Sequence, residues 1–140
     1  MSKVAVIYWS GTGNTEAMAK KVQEGAAAAG AEAMLTAAGS FDPSTISQYD
    51  GIAFGCPAMG AEELEDSEFS PMFESCKSAL GGKKLGLFGS YGWGDGEWMR
   101  TWEANCKKIG AVLVTDSVIC CGEPDADTKE ACKALGKALS

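Results

Sequence analysis

Apolar residues along the chain switch repeatedly between two spacings. Lys3-Val4-Ala5-Val6-Ile7-Tyr8-Trp9 is a nearly continuous β-branched and aromatic run, the pattern of a strand buried on both faces. Past Ser10 to Thr15 the period becomes helical: Met18, Val22, Ala26 and Ala29 fall at i, i+4, i+8 and i+11, with Gly30 as the stop. A weaker run, Ala33 to Thr36, predicts a second strand, and residues 38–48 a loop with a turn of helix. Gly51 to Gly55 predicts a third strand. Phe69, Met72, Phe73, Cys76 and Leu80 then recur at helical spacing up to the Gly81-Gly82 break. Lys84 to Phe88 is the fourth predicted strand. A glycine-rich segment leads from it into a helix with Trp98, Trp102, Cys106 and Ile109 on one face, Asp95 as its expected N-cap and Gly110 as its stop. Val112 to Cys120 closes the strands, and Asp125 to Leu139 predicts a last helix with Cys132, Leu135 and Leu139 on one side.

Strands alternating with helices imply an α/β domain, a doubly wound five-stranded parallel sheet flanked by helices. A single domain spanning residues 1–140 is expected, with no linker or repeat. Ligands of such sheets bind beyond the carboxyl ends of the strands, where the chain order reverses. Three unusual loops, Ser10 to Thr15, Cys56 to Glu62 and Gly89 to Glu97, each follow a strand and precede a helix. With strand order 2-1-3-4-5 they follow adjacent strands and crowd one edge, so they form one site.

Composition narrows the chemistry. The chain of 140 residues carries 12 Lys plus Arg against 19 Asp plus Glu, a formal charge of −7, and no histidine. Catalysis by Ser-His-Asp or Cys-His is therefore excluded. The acidic balance lacks the electrostatic footprint of a nucleic-acid or anionic-membrane binder, and no apolar run approaches the roughly 18 residues of a membrane span. No export signal precedes the first strand, so a cytoplasmic location is expected. Cys56, Cys76, Cys106, Cys120, Cys121 and Cys132 then read as reduced thiols. None of their spacings is Cys-x-x-Cys, which argues against zinc or iron–sulfur ligation. The adjacent pair Cys120-Cys121 suggests no role beyond free thiols.

The first loop, Ser10-Gly11-Thr12-Gly13-Asn14-Thr15, offers successive backbone N–H groups, three hydroxyls and an amide at the positive end of a helix, a cradle for one phosphate. It lacks the spacing and the lysine of the nucleotide P-loop, and Glu16 stands where the dinucleotide fingerprint needs its third glycine. In the third loop Tyr91 and Trp93 sit among glycines, where they offer stacking surface for a planar heterocycle, worth about 1 to 3 kcal/mol per contact. Trp98 and Trp102, at i and i+4, belong to the core. In the second loop Pro57 stiffens the entry and Gly60 permits a turn. The five carboxylates of Glu62, Glu63, Glu65, Asp66 and Glu68 suit a helix start and a solvated face.

Taken together, the runs 8–16, 55–60 and 89–98 resemble the flavodoxins, small electron carriers that bind FMN, and among them the short-chain type, since no long insertion interrupts 112–120. The resemblance spans the chain. It implies a non-covalently bound FMN and a low-potential one-electron carrier, not an enzyme, that shuttles between semiquinone and hydroquinone to serve redox enzymes. Ser10, Gly11, Thr12, Gly13, Asn14 and Thr15 are then expected to hold the phosphate, and Trp93 to stack on the outer ring face. Met59, within the loop of Pro57, Ala58 and Gly60, is expected to cover the inner face, and Glu62 to accept from the flavin N3–H. Backbone groups of Gly89, Ser90, Tyr91, Gly92 and Trp93 are expected at the pyrimidine edge, and Gly60 to turn its carbonyl toward N5–H after the first electron. Ala61 and Gly122 depart from residues that relatives carry there. Partners are expected to be redox proteins docking on an acidic face of Glu62, Glu63, Glu65 and Asp66, with the chain itself a monomer. An FMN-dependent reductase fed by a nicotinamide is the competing reading, opposed by the short chain and by Arg100 being its one arginine.

Overall fold

The computed structural model describes residues 2–60, 63–92 and 94–140. Ten regular elements alternate along them: β1 Lys3–Tyr8, α1 Asn14–Ala28, β2 Glu32–Ala37, β3 Gly51–Gly55, α2 Phe69–Cys76, β4 Lys84–Tyr91, α3 Glu97–Lys108, β5 Val112–Leu113, β6 Val118–Cys121 and α4 Ala126–Leu139. Short 3-10 turns occupy 38–40 and 43–48, and one extends α2 over 77–79. Every pairing between strands is parallel, in the order β2-β1-β3-β4-β5, with β6 also on β4.

The two faces of the sheet bury different sets of side chains, as strand alternation requires. Ile7, Ile52, Phe54, Leu85 and Leu87 pack against α2 and α3, where Phe69, Phe73, Trp98 and Trp102 supply the bulk. Val4, Val6, Ala53 and Phe88 pack against α1 and α4 through Met18, Val22, Cys132, Leu135 and Leu139. The predicted face of α1 holds for Met18, Val22 and Ala26, whereas Ala29 is exposed because the helix has ended there.

The expected fifth strand, Val112 to Cys120, is interrupted. β5 pairs Val112 with Lys84 and Leu113 with Leu85, and β6 resumes with Val118 opposite Phe88. Residues 114–117 therefore oppose only Gly86 and Leu87, a bulge of two extra residues. Because two is the side-chain period, both halves keep their apolar residues in phase with β4.

Helices α1 and α4 approach to backbone contact. A Cβ at Gly136 falls 2.0 Å from the Val22 carbonyl oxygen, and one at Gly25 falls 2.0 Å from that of Lys133. Gly136→Ala is expected to force these helices apart and to cost at least about 1–3 kcal/mol, the usual penalty of overpacking. Urea unfolding checks this as a lowered midpoint at unchanged slope.

Candidate functional site

Loops leaving β1, β3 and β4 at their carboxyl ends converge, with the turn after β6, on a cavity of about 240 Å³. In the first loop Gly11, Thr12 and Asn14 line it. Ser10 and Gly13 shape the turn instead: the Gly13 N–H donates to Ser10 Oγ at 3.0 Å, leaving the serine's own O–H free to donate. No side chain caps α1, so the orphan N–H groups of its first turn remain available to an anion. Thr15 is 1% exposed, and its hydroxyl lies 3.3 Å from Ser90 Oγ and accepts from the Ser90 N–H at 3.4 Å. It joins the first loop to β4, and because it accepts from the Ser90 N–H its own O–H keeps a proton to donate.

Pro57, Ala58 and Met59 line the cavity from the second loop. Met59 and Glu63 exchange two backbone hydrogen bonds, 2.8 and 2.9 Å, as the closing pair of a hairpin. Gly60 stands exposed at its tip with φ +50°, a conformation that a side chain disfavours, and it does not line the cavity. Ala61 and Glu62 lie outside the described residues.

Glu65 is not part of an exposed acidic face. It is 5% exposed, and its carboxylate accepts from the N–H groups of Ser67 (2.9 Å), Glu68 (2.8 Å) and Phe69 (2.8 Å) and from the Ser67 hydroxyl. Burial pushes this carboxyl up. The Ser67 hydroxyl and then the backbone donors outweigh that, holding it below the usual value. Glu63 and Asp66 are exposed.

From the third loop Ser90, Tyr91 and Gly92 line the cavity. Gly89 is where the second and third loops touch: a Cβ there would fall 2.2 Å from the Cys56 carbonyl oxygen. That carbonyl accepts from the Trp98 indole at 3.1 Å, and the Trp98 ring lies 5.4 Å from Tyr91. Trp93 lies outside the described residues. Asp95 does not cap α3: Gly96 precedes the helix, and Asp95 instead pairs with Arg100 at 3.0 Å on the surface.

One lining residue, Trp9, is absent from the expected site, and a second, Gly122, stands at a position where the sequence departs from relatives. Trp9 was counted into the strand run, yet its ring lies against Gly11 and lines the cavity, its indole donating to Glu68 Oε1 at 3.1 Å. Gly122 follows β6, and its N–H donates to the Tyr91 carbonyl at 2.8 Å. The signal for it was available, since the last strand neighbours β4 in the predicted order.

A phosphate cradle beside aromatic and thioether walls, at the switch point of a doubly wound sheet, defines a nucleotide-binding α/β protein. The residues present fit FMN: uncapped helical N–H groups face one end and apolar surface the other. The family model described as Flavodoxin matches residues 6–136. The flavodoxin of Megasphaera elsdenii is 44% identical over 137 residues, covering 98% of each chain, and that of Clostridium beijerinckii 40% over 135 residues, 96% of this chain and 97% of the relative. The solution structure of two-electron reduced Megasphaera elsdenii flavodoxin superposes with a TM-score of 0.88 at 45% identity over 97% of both chains. The chain belongs to the flavodoxin family. It is an electron-transfer protein, a low-potential one-electron carrier that uses FMN and serves redox partner proteins.

The Glu65 carboxyl sits below its usual value near 4.5 in the folded chain. Its contribution to stability is therefore complete above that value and is lost as pH falls through the folded one. Glu65→Gln is expected to be less stable at pH 7 and to lose less on acidification below about pH 4.5, which denaturant midpoints measured across that window check.

Proposed function

We propose that the cavity is the FMN site and that residues 1–140 act as one FMN-binding unit. Ser10 to Thr15 hold the phosphate through backbone N–H groups and the hydroxyls of Ser10, Thr12 and Thr15, with the Asn14 amide beside them. Met59 covers the inner ring face and Trp93 the outer. Glu62 accepts from N3–H, while the backbone of Gly89 to Trp93 meets the pyrimidine edge. The carbonyl of Gly60, next to the Met59–Glu63 pair, would accept from the N5–H of a reduced flavin. FMN supplies the one-electron acceptor; the chain orients it and sets its potential.

One observation carries the low-potential reading. Among the described residues that line the cavity there is no lysine or arginine. The phosphate is met by dipoles alone, and nothing cationic offsets the charge of a second electron in a chain of net charge −7. If the first loop holds the phosphate, apoprotein binds FMN at least about a hundredfold more tightly than riboflavin, the loss of one or two hydrogen bonds to a charged group. Calorimetric titration with each compound checks this, and equal affinities remove the assigned role of Ser10 to Thr15.

Glu63 and Asp66, exposed beside the hairpin, form the docking face for a basic redox partner, and the carrier works as a monomer in the cytoplasm. No helix among the described residues is long and apolar enough to cross a membrane. The rate of electron transfer to a basic haem protein should fall as salt shortens the Debye length from about 30 Å at 0.01 M to about 8 Å at 0.15 M. Stopped-flow rates of Glu63→Gln and Asp66→Asn are expected to depend less on salt than those of the parent.

A further inference from the structure

The hairpin that carries Gly60 is tied differently at its tip and at its two legs. Its first leg is bound to β4, the Cys56 N–H donating to the Phe88 carbonyl at 3.1 Å and the Ala58 N–H to the Ser90 carbonyl at 3.2 Å. Its second leg is bound through Glu65. Besides the four donors on its carboxylate, the Glu65 N–H donates to Cys56 Sγ at 3.3 Å and its carbonyl accepts from the Ser70 N–H at 2.9 Å. Every polar group of this residue is therefore used, at 5% exposure. At the tip, a Cβ at Gly60 would meet nothing within 4 Å.

This is more than a helix start requires. Ordering one backbone residue costs roughly 1–2 kcal/mol, so a turn that gains a hydrogen bond keeps more of its value when the legs are ordered beforehand. We propose that Glu65 is a positioning residue for electron transfer: by fixing the second leg of the 59–63 hairpin it confines rearrangement to the turn at Gly60 and so widens the gap between the first and second reduction potentials. This rests on the reading that the Gly60 carbonyl reaches N5–H. Glu65 exchanges no electron or proton in the step; the electron comes from an external reductant and the proton from solvent.

The test uses FMN-loaded protein at constant pH, titrated with dithionite in the presence of redox dyes to obtain both midpoint potentials. Glu65→Gln, which places an amide N–H among donors, is compared with Ser67→Ala, which removes one donor, and with Gly60→Val. The equilibrium constant for the first electron, taken relative to that for the second, is expected to fall about tenfold in Glu65→Gln, the ordering entropy of one residue. Ser67→Ala is expected to narrow the gap less and in the same direction. Affinity of the oxidised protein for FMN should hold within about threefold. A gap unchanged in both variants while Gly60→Val narrows it makes Glu65 merely structural and overturns the proposal alone. A gap unchanged in all three overturns the Gly60 reading as well. If Glu65→Gln fails to hold FMN, Ser67→Ala decides: a narrowed gap supports the proposal and an unchanged one ends it.

Discussion

The peptide of Cys56 holds the site together. Its N–H belongs to β4, its carbonyl to the indole of Trp98, and its thiol receives the N–H of Glu65. The first of these extends the pairing of β3 with β4, the second fixes the start of α3, and the third ties in the segment before α2. All three bonds lie out of water, where an orphaned polar group costs about 1–3 kcal/mol. The loops are thus positioned from the core outward. Burial pushes the Cys56 thiol up to about 12, outweighing the lowering effect of the Glu65 N–H, so it remains a neutral acceptor throughout the physiological range.

The strand order and the convergence of the loops were legible in sequence because period and punctuation both reported them. Buried runs ended at glycines, helical spacing resumed within a few residues, and the order 2-1-3-4-5 then left no freedom in where the loops met. What escaped was whatever depends on a side chain's direction. Glu65 and Asp66 are adjacent and both acidic, yet one is turned inward by three backbone N–H groups at the start of α2 and the other faces solvent. Thr15 and Thr12 read as equivalent hydroxyls, yet the first is buried against β4 and the second is exposed. Trp9 illustrates the reverse error, an aromatic at a strand end read as core although it borders the cavity.

The cavity and the protein around it follow opposite electrostatic rules. The described side chains that line the cavity are neutral, so what it offers is oriented peptides, hydroxyls and ring faces, which carry no counter-charge. Farther out the surplus carboxylates dominate. A site built this way separates two tasks: short-range dipoles decide what is held, and long-range charge decides which proteins approach it.

The broken edge strand has a meaning of its own. Val112–Leu113 and Val118–Cys121 each pair with β4 independently, and of the four residues between them only Val114 donates to that strand, to the Leu85 carbonyl at 3.0 Å. Chain added at that point leaves both pairings intact, and in even steps it preserves which face each side chain takes. The outer edge of this sheet is therefore a place where length itself is free to vary in evolution, and a family that keeps its core and cofactor loops constant can grow there a further loop, and with it a new surface, without renegotiating the fold.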